Sequence, residues 1–186
     1  MANVLMTTAF SDLQYWSGEL LNGAPTALIF SKTATAFGFT IPAGQTFAGY
    51  RVVITGTGFA YDGRTPIAGA MNKVTFQDPT GHVILSVDGL AGNPASADFA
   101  LFASHVMGWT NPDGSIFGPF LSHALSMMLS GSDDIAGTNG ADTSILPGFG
   151  AGNDTYNMLG GDDWVNGGMG NDTINGGDGY DKLRNV

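Results

Sequence analysis

The sequence predicts a mainly β protein in two unequal parts. Three observations carry this. Residues 1–95 hold short runs rich in β-branched and aromatic residues, separated by turn-forming Gly, Pro and Asp. Residues 96–130 hold two short stretches with helical spacing of apolar side chains. Past residue 130 the composition shifts abruptly to glycine and aspartate, in a pattern that recurs every nine residues. The chain therefore divides into a β-rich N-terminal domain with two short helices, 1–130, and a repeat region, 131–186.

The strand candidates are TALIF (26–30), AFGFTI (36–41), YRVVITGTGFAY (50–61), NKVTFQD (72–78) and HVILSVDGL (82–90). Turns are expected at Pro42-Ala43-Gly44, Asp62-Gly63 and Asp78-Pro79-Thr80-Gly81. The last of these predicts a hairpin, with Val74 and Phe76 matched by Val83, Leu85 and Val87. The first helix is expected over 96–107, capped by Ser96, with Phe99, Phe102, Ala103 and Val106 on one face. The second is expected over 118–130. There Pro119 suits the first helical position, and Phe120, Leu121, Ala124 and Met128 form a stripe. Phe10, Tyr15, Trp16, Phe30, Phe37, Phe39, Phe47 and Phe59 are expected in the core. The apolar start MANVLMTTAF is expected as a strand, either donated to a neighbouring subunit or lying at the edge of its own sheet.

Composition excludes several classes. There is no cysteine, so no disulfide, thiolate nucleophile or zinc–thiolate site exists. The net charge is −10. Residues 1–130 carry seven acids and four bases; residues 131–186 carry nine aspartates, no glutamate and two bases. With no basic patch, nucleic acid is not an expected partner. No apolar run approaches the length that spans a bilayer. The start lacks the charged and apolar regions of a signal peptide. G-x-S-x-G, H-E-x-x-H and a phosphate loop are all absent, and His82, His105 and His123 form no evident catalytic set. No catalytic residue is assigned, and a non-enzymatic protein is expected.

The repeat aligns as FGAGNDTYN (149–157), MLGGDDWVN (158–166), GGMGNDTIN (167–175) and GGDGYDKLR (176–184). Glycine is fourth, aspartate sixth and an apolar or aromatic residue eighth in every frame. Two degenerate frames precede these: MLSGSDDIA (128–136) and GTNGADTSI (137–145). Three extra residues, LPG (146–148), follow them. This pattern resembles the G-G-x-G-x-D-x-U-x nonapeptide of RTX proteins, bacterial proteins whose repeats bind calcium in a parallel β-roll. The resemblance covers about 55 residues: two frames match fully, two in their core, and two are degenerate.

The resemblance implies a calcium-binding β-roll over 131–186, with two nonapeptides per coil. Alternate frames then share a side. Asp154 and Asp172 line one edge and Asp163 and Asp181 the other; Asp133 and Asp142 join them if the three extra residues only bulge out. Calcium takes six to eight oxygen ligands. The implied metal-site residues are Asp133, Asp142, Asp154, Asp163, Asp172 and Asp181, with the turn residues Gly150, Gly152, Asn153, Gly161, Gly168, Gly170, Asn171, Gly177 and Gly179. Asp134, Asp162 and Asp178 lie off the sixth position and read as surface or supporting charges. Metal binding and folding are expected to be one event. The stripe ending at Met127, Met128 and Leu129 is expected to cover the open first coil.

The resemblance also implies type I export and an extracellular or cell-surface location. The sequence ends at KLRNV, directly after a complete repeat, which leaves no room for a C-terminal export signal and an uncapped last coil where a subunit could dock. Charged residues make up only 12% of the chain, against about 25% in an ordinary soluble domain. Self-association is therefore expected, as a matrix, biofilm, surface-layer or filament subunit whose assembly calcium permits. The alternative is a secreted enzyme, or a haem- or carbohydrate-binding protein, that uses the roll only for export and folding.

Overall fold

The computed structural model describes residues 1–7, 28–41, 43–44, 47–63, 65–102, 128–143 and 152–185. The described chain is mainly β. Its strands are β1 (Asn3–Met6), β2 (Leu28–Lys32), β3 (Ala36–Thr40), β4 (Arg51–Asp62), β5 (Thr65–Gln77), β6 (Val83–Asp88), β7 (Asp134–Ala136), β8 (Thr155–Asn157), β9 (Trp164–Asn166), β10 (Thr173–Asn175) and β11 (Lys182–Arg184). A short helix, α1 (Pro94–Ala97), follows β6.

Nine strands form one sheet in the order β10-β8-β7-β1-β6-β5-β4-β3-β2. From β1 to β2 every neighbour is antiparallel. From β1 through β7 and β8 to β10 every neighbour is parallel. β9 and β11 form a second, two-stranded parallel sheet. The three-residue strands β7, β8 and β10 stack in parallel in the first sheet, and β9 and β11 in the second, with alternate repeats falling in the same stack.

β1 is the joint between the two kinds of sheet. It pairs antiparallel with β6 on one edge and parallel with β7 on the other. The expectation for this segment is corrected accordingly: it is neither an edge strand nor donated outward, because both of its edges are taken within the chain. Alternation does the rest. Ala2, Val4 and Met6 are buried and Asn3 and Leu5 exposed, which sets Val4 among the core side chains.

The hairpin around Asp78–Gly81 forms as expected, with Phe76 opposite Leu85 and Val74 opposite Val87, all buried. Val83 departs from it. A register shift after Phe76 places Val83 opposite Gln77 and leaves it 39% exposed. The Asp62-Gly63 turn also forms, but β5 begins at Thr65, seven residues before the expected strand. The added segment, TPIAGA, is rich in small residues and is held by pairing with the bulged end of β4.

Phe37, Phe39 and Phe59 are core residues, and Phe47 packs partly buried against them. Phe30 is not in the core; it is 53% exposed. Its ring lies across Gly38 on the neighbouring strand, where a Cβ would come within 2.6 Å of it, and Arg51 sits 5.8 Å from its centroid. An aromatic side chain covers a glycine's bare backbone this way. Phe10, Tyr15 and Trp16 lie outside the described residues.

A separate four-residue helix, Pro94–Ala97, takes up Ser96, and the expected first helix starts only at Phe99, so Ser96 does not cap it. The capping carboxylate is Asp98, whose Oδ1 accepts the Leu101 N–H at 2.9 Å and which bridges to Ala70 of β5. This sets Phe99 and Phe102 fully in the core, with Phe99 stacked on Phe59 at 4.0 Å. Ala103, Val106, His105, His123 and nearly all of the second expected helix lie outside the described residues. Of the stripe ending it, Met128 and Leu129 are buried. One edge of β7 is taken by β1.

Candidate metal centre

Five of the six repeat aspartates stand just before a three-residue strand; no strand follows Asp142 among the described residues. The strands stack in register, so the aspartates stack as well. Asp133, Asp154 and Asp172 form one column; Asp142, Asp163 and Asp181 form the other. The contact within each column is the same at every step. The carboxylate Oδ1 of one aspartate accepts the backbone N–H of the aspartate one coil before it. Asp133 donates to Asp154 at 2.9 Å, Asp154 to Asp172 at 3.0 Å, Asp142 to Asp163 at 2.8 Å and Asp163 to Asp181 at 3.0 Å. The strand backbone continues the ladder in the opposite sense: Thr155 N–H donates to Asp133 O and Thr173 N–H to Asp154 O, both at 2.8 Å.

In three of the six aspartates this arrangement uses one carboxylate oxygen and sets the other aside. The Oδ2 atoms of Asp133, Asp163 and Asp172 are buried and have no hydrogen-bond partner. Such an atom costs about 1–3 kcal/mol, more when charged, unless something satisfies it. Asp133, Asp142, Asp154 and Asp163 are themselves buried. Burial, opposed in part by the ladder hydrogen bonds, pushes Asp133 and Asp163 above the usual carboxylate range, and Asp154 up to about 6. The neighbouring aspartates of each column add repulsion in the same direction.

Fourth-position glycines make the close stacking possible. A Cβ on Gly152 would lie 1.9 Å from Gly131 O, one on Gly170 1.7 Å from Gly152 O, and one on Gly179 2.0 Å from Gly161 O. Gly161 stands against Gly140 in the same way, at 2.5 Å. First-position glycines make room for the carboxylates: a Cβ on Gly167 or Gly176 would lie 2.4 or 2.2 Å from Oδ2 of Asp172 or Asp181.

The chemistry of this donor set fits calcium. The orphan oxygens are hard, buried carboxylate oxygens, and calcium takes oxygen ligands of this kind. Among the described residues no cluster gathers three or more His, Asp or Glu side chains, so carbonyl oxygens would complete the shell. Calcium there would neutralise the like charges of each column. This chain's own contribution is to hold the carboxylates in register and leave the second oxygens of Asp133, Asp163 and Asp172 without a partner among the described residues.

The expected site residues are brought together in large part. All six sixth-position aspartates fall into the two columns. Gly152, Gly161, Gly170 and Gly179 stand in the glycine stacks, and Gly168 and Gly177 sit at the second position with φ near +89° and +88°. Asn153 acts in the backbone ladder: its Oδ1 accepts the Asn171 N–H at 2.9 Å. Asp162 does the same for Tyr180 at 2.9 Å, so it is a structural residue of the turn. Gly150 lies outside the described residues. Sequence reasoning passed over Gly131, Gly140, Gly167 and Gly176, although their places in the nine-residue frame mark them. It also passed over Thr138, which stands at the second position of a degenerate frame. Its N–H and hydroxyl donate to Asp142 Oδ2 at 2.7 and 3.1 Å, so that oxygen is satisfied by the chain itself.

Leu159 occupies the second position of its frame with φ +69°. A side chain there costs about 1–2 kcal/mol over glycine. Leu159→Gly is therefore expected to stabilise the folded repeat region by about 1 kcal/mol, after the extra chain entropy of glycine is subtracted. A raised thermal midpoint in calcium is the readout.

The raised carboxylates also set a pH dependence for the metal-free protein. Their folded pKa lies above the unfolded value of 3.8, so the folded roll binds protons more tightly than the unfolded chain. That stability is fully present below pH 3.8 and is lost as pH rises through about 6. In a chelator, β circular dichroism from the roll is expected to be strongest near pH 4 and to fall by pH 7; with calcium the profile should be flat over the same window.

No family model matches the chain, and no curated protein or solved structure matches it significantly. No helix among the described residues is long and apolar enough to cross a membrane.

Proposed function

We propose that this chain is an RTX-type calcium-binding protein of the bacterial exterior, whose roll folds when calcium binds between its coils and whose folded form associates with copies of itself. The observation that carries the calcium reading is the pair of aspartate columns with buried, partnerless second oxygens at Asp133, Asp163 and Asp172. Without a cation, such columns hold like charges one strand spacing apart, about 4.8 Å. With calcium at roughly 10⁻⁴–10⁻³ M, the range of extracellular modules, they become ligands. The roll would then stay unfolded inside the cell and fold outside.

Self-association is supported by what the roll shows to solvent. Leu159, Trp164, Met169, Tyr180 and Leu183 are 45–90% exposed within twenty-five residues. Clustered exposed apolar side chains mark contact surfaces. The chain offers no convergent catalytic set among its described residues, and a matrix, surface-layer or filament role suits it better than hydrolysis or ligand carriage. Light scattering, read beside circular dichroism during a calcium titration and its reversal by chelator, tests both halves. Mass and β signal rising together and reversing together are the expected result. A β signal that rises while the chain stays monomeric would reduce the roll to a folding and export device. No response to calcium in either signal would overturn the calcium reading.

A further inference from the structure

Along the edge that faces β7, β1 repeats the contacts of a repeat strand with one difference. Ala2 N–H donates to Asp133 Oδ1 at 2.7 Å, as Asp133 donates to Asp154 and Asp154 to Asp172. Asp134 N–H donates to Ala2 O at 2.9 Å, as Thr155 and Thr173 donate to Asp133 and Asp154. Val4 stands opposite Ile135, which stands opposite Tyr156, all three buried. Ala2-Asn3-Val4-Leu5 thus lies where a coil would carry Asp-x-apolar-x. The difference is Ala2, buried at 3% and bearing no carboxylate.

That difference has a physical consequence. At the steps from Asp133 to Asp154 and from Asp154 to Asp172, two carboxylates face each other and a cation must offset them. At the step from β1 to β7 there is only one. β7 can therefore stack on β1 through hydrogen bonds and the Val4–Ile135 contact without metal. β1 is itself anchored on its far edge, by the pairs Asn3–Asp88, Val4–Val87, Leu5–Ser86 and Met6–Leu85. Those lead into a core, including Val52, Ile54, Val74, Phe76, Leu85 and Val87, that contains no metal ligand.

We infer that β1 is a metal-free starter coil. It holds β7 ordered before calcium binds, and the calcium-dependent coils add to it in sequence away from the N-terminal sheet. In a linear array each repeat is stabilised by its neighbour, so an ordered first unit lowers the cost of the next. The ordered addition rests on the calcium reading above; the order of β7 does not.

Amide hydrogen exchange of the full chain, in chelator and in saturating calcium, tests this. In chelator the amides of Asp134–Ala136 should be protected together with those of β6. The amides of β8, β9, β10 and β11 should exchange roughly a hundredfold faster than in calcium. β7 exchanging in chelator as fast as β10 would overturn the starter role. Full protection of β8–β11 in chelator would instead overturn the calcium reading and with it the ordered addition, leaving β7 unaffected. Two variants sharpen the test. Ala2→Asp supplies the missing carboxylate; it should lower the thermal midpoint in chelator and bind one more calcium per chain by titration calorimetry. Unchanged stoichiometry in the folded variant would overturn the equivalence of β1 with a coil. Ala2→Pro removes the N–H that Asp133 accepts but leaves the β1–β6 pairs, which start at Asn3. It should cost β7 its protection in chelator while β6 keeps its own, and retained β7 protection would count against the inference.

Discussion

Gly170→Ala is expected to prevent calcium-induced folding of the outer roll. A methyl at this position would lie 1.7 Å from Gly152 O, and the backbone there has φ +138°. Neither problem has a soft remedy. The obstacle is a carbonyl of the preceding coil, not the tip of a movable side chain, and the dihedral is one that side chains rarely adopt. The strained dihedral alone costs about 1–3 kcal/mol. Separating the coils to clear the methyl removes the Asp154–Asp172 bond and the β8–β10 pairing with it. Half-saturation in a calcium titration followed by circular dichroism should move up by roughly a hundredfold or be lost, the equivalent of about 3 kcal/mol. Gly160→Ala is the matched control. Its new methyl would meet nothing closer than 3.5 Å, an ordinary contact, and the change should stay within about 0.5 kcal/mol. Equal behaviour of the two variants would mean that the glycine columns do not stack in solution.

Asp163→Asn is expected to weaken calcium binding more than any other isosteric change in the second column. Asp163 is its middle member: it accepts from Asp142, donates to Asp181, and keeps a buried Oδ2 with no partner. Asparagine preserves the shape and the accepting oxygen but replaces the second oxygen with an amide and removes the charge. Both steps of the column lose a ligand. Half-saturation should rise by about tenfold or more, since ligand charge count sets calcium affinity. The same change also relieves repulsion, so the metal-free chain should be no less structured than the parent. Asp178→Asn, on an exposed side chain outside the columns, should leave the titration nearly unchanged.

The repeat was the most legible part of the sequence. Glycine and aspartate at fixed spacing report turn chemistry directly, because few other residues tolerate a positive φ or a backbone approach as close as that of Gly170 to Gly152. The assignment of alternate frames to the same side came with the resemblance to RTX repeats, and the two ladders follow that parity. The start of β5 was hidden for the opposite reason. Apart from Ile67, Thr65 to Ala70 are small or turn-prone residues whose strand conformation is imposed by the partner strand β4. The role of β1 was hidden by distance and by substitution: its partner Asp133 lies 131 residues away, and the aspartate that would mark it as a coil is an alanine. Thr138 shows the same limit in miniature. A lost glycine reads as decay of the motif, yet its hydroxyl and N–H satisfy Asp142.

The spacing of the ladders carries one more consequence. Later rungs join residues 18 apart, while the first rung of each column joins residues 21 apart. Both columns absorb the same three extra residues between Asp142 and Asp154, and no aspartate changes sides. Length can therefore vary at that point without altering what faces what. A gain or loss of nine residues is different: it would carry every later aspartate to the opposite flank, and a loss of residues 149–157 would set Val165 under Ile135 in place of Tyr156. Away from that point, a gene for such a protein grows or shrinks without exchanging the two flanks only by eighteen codons at a time.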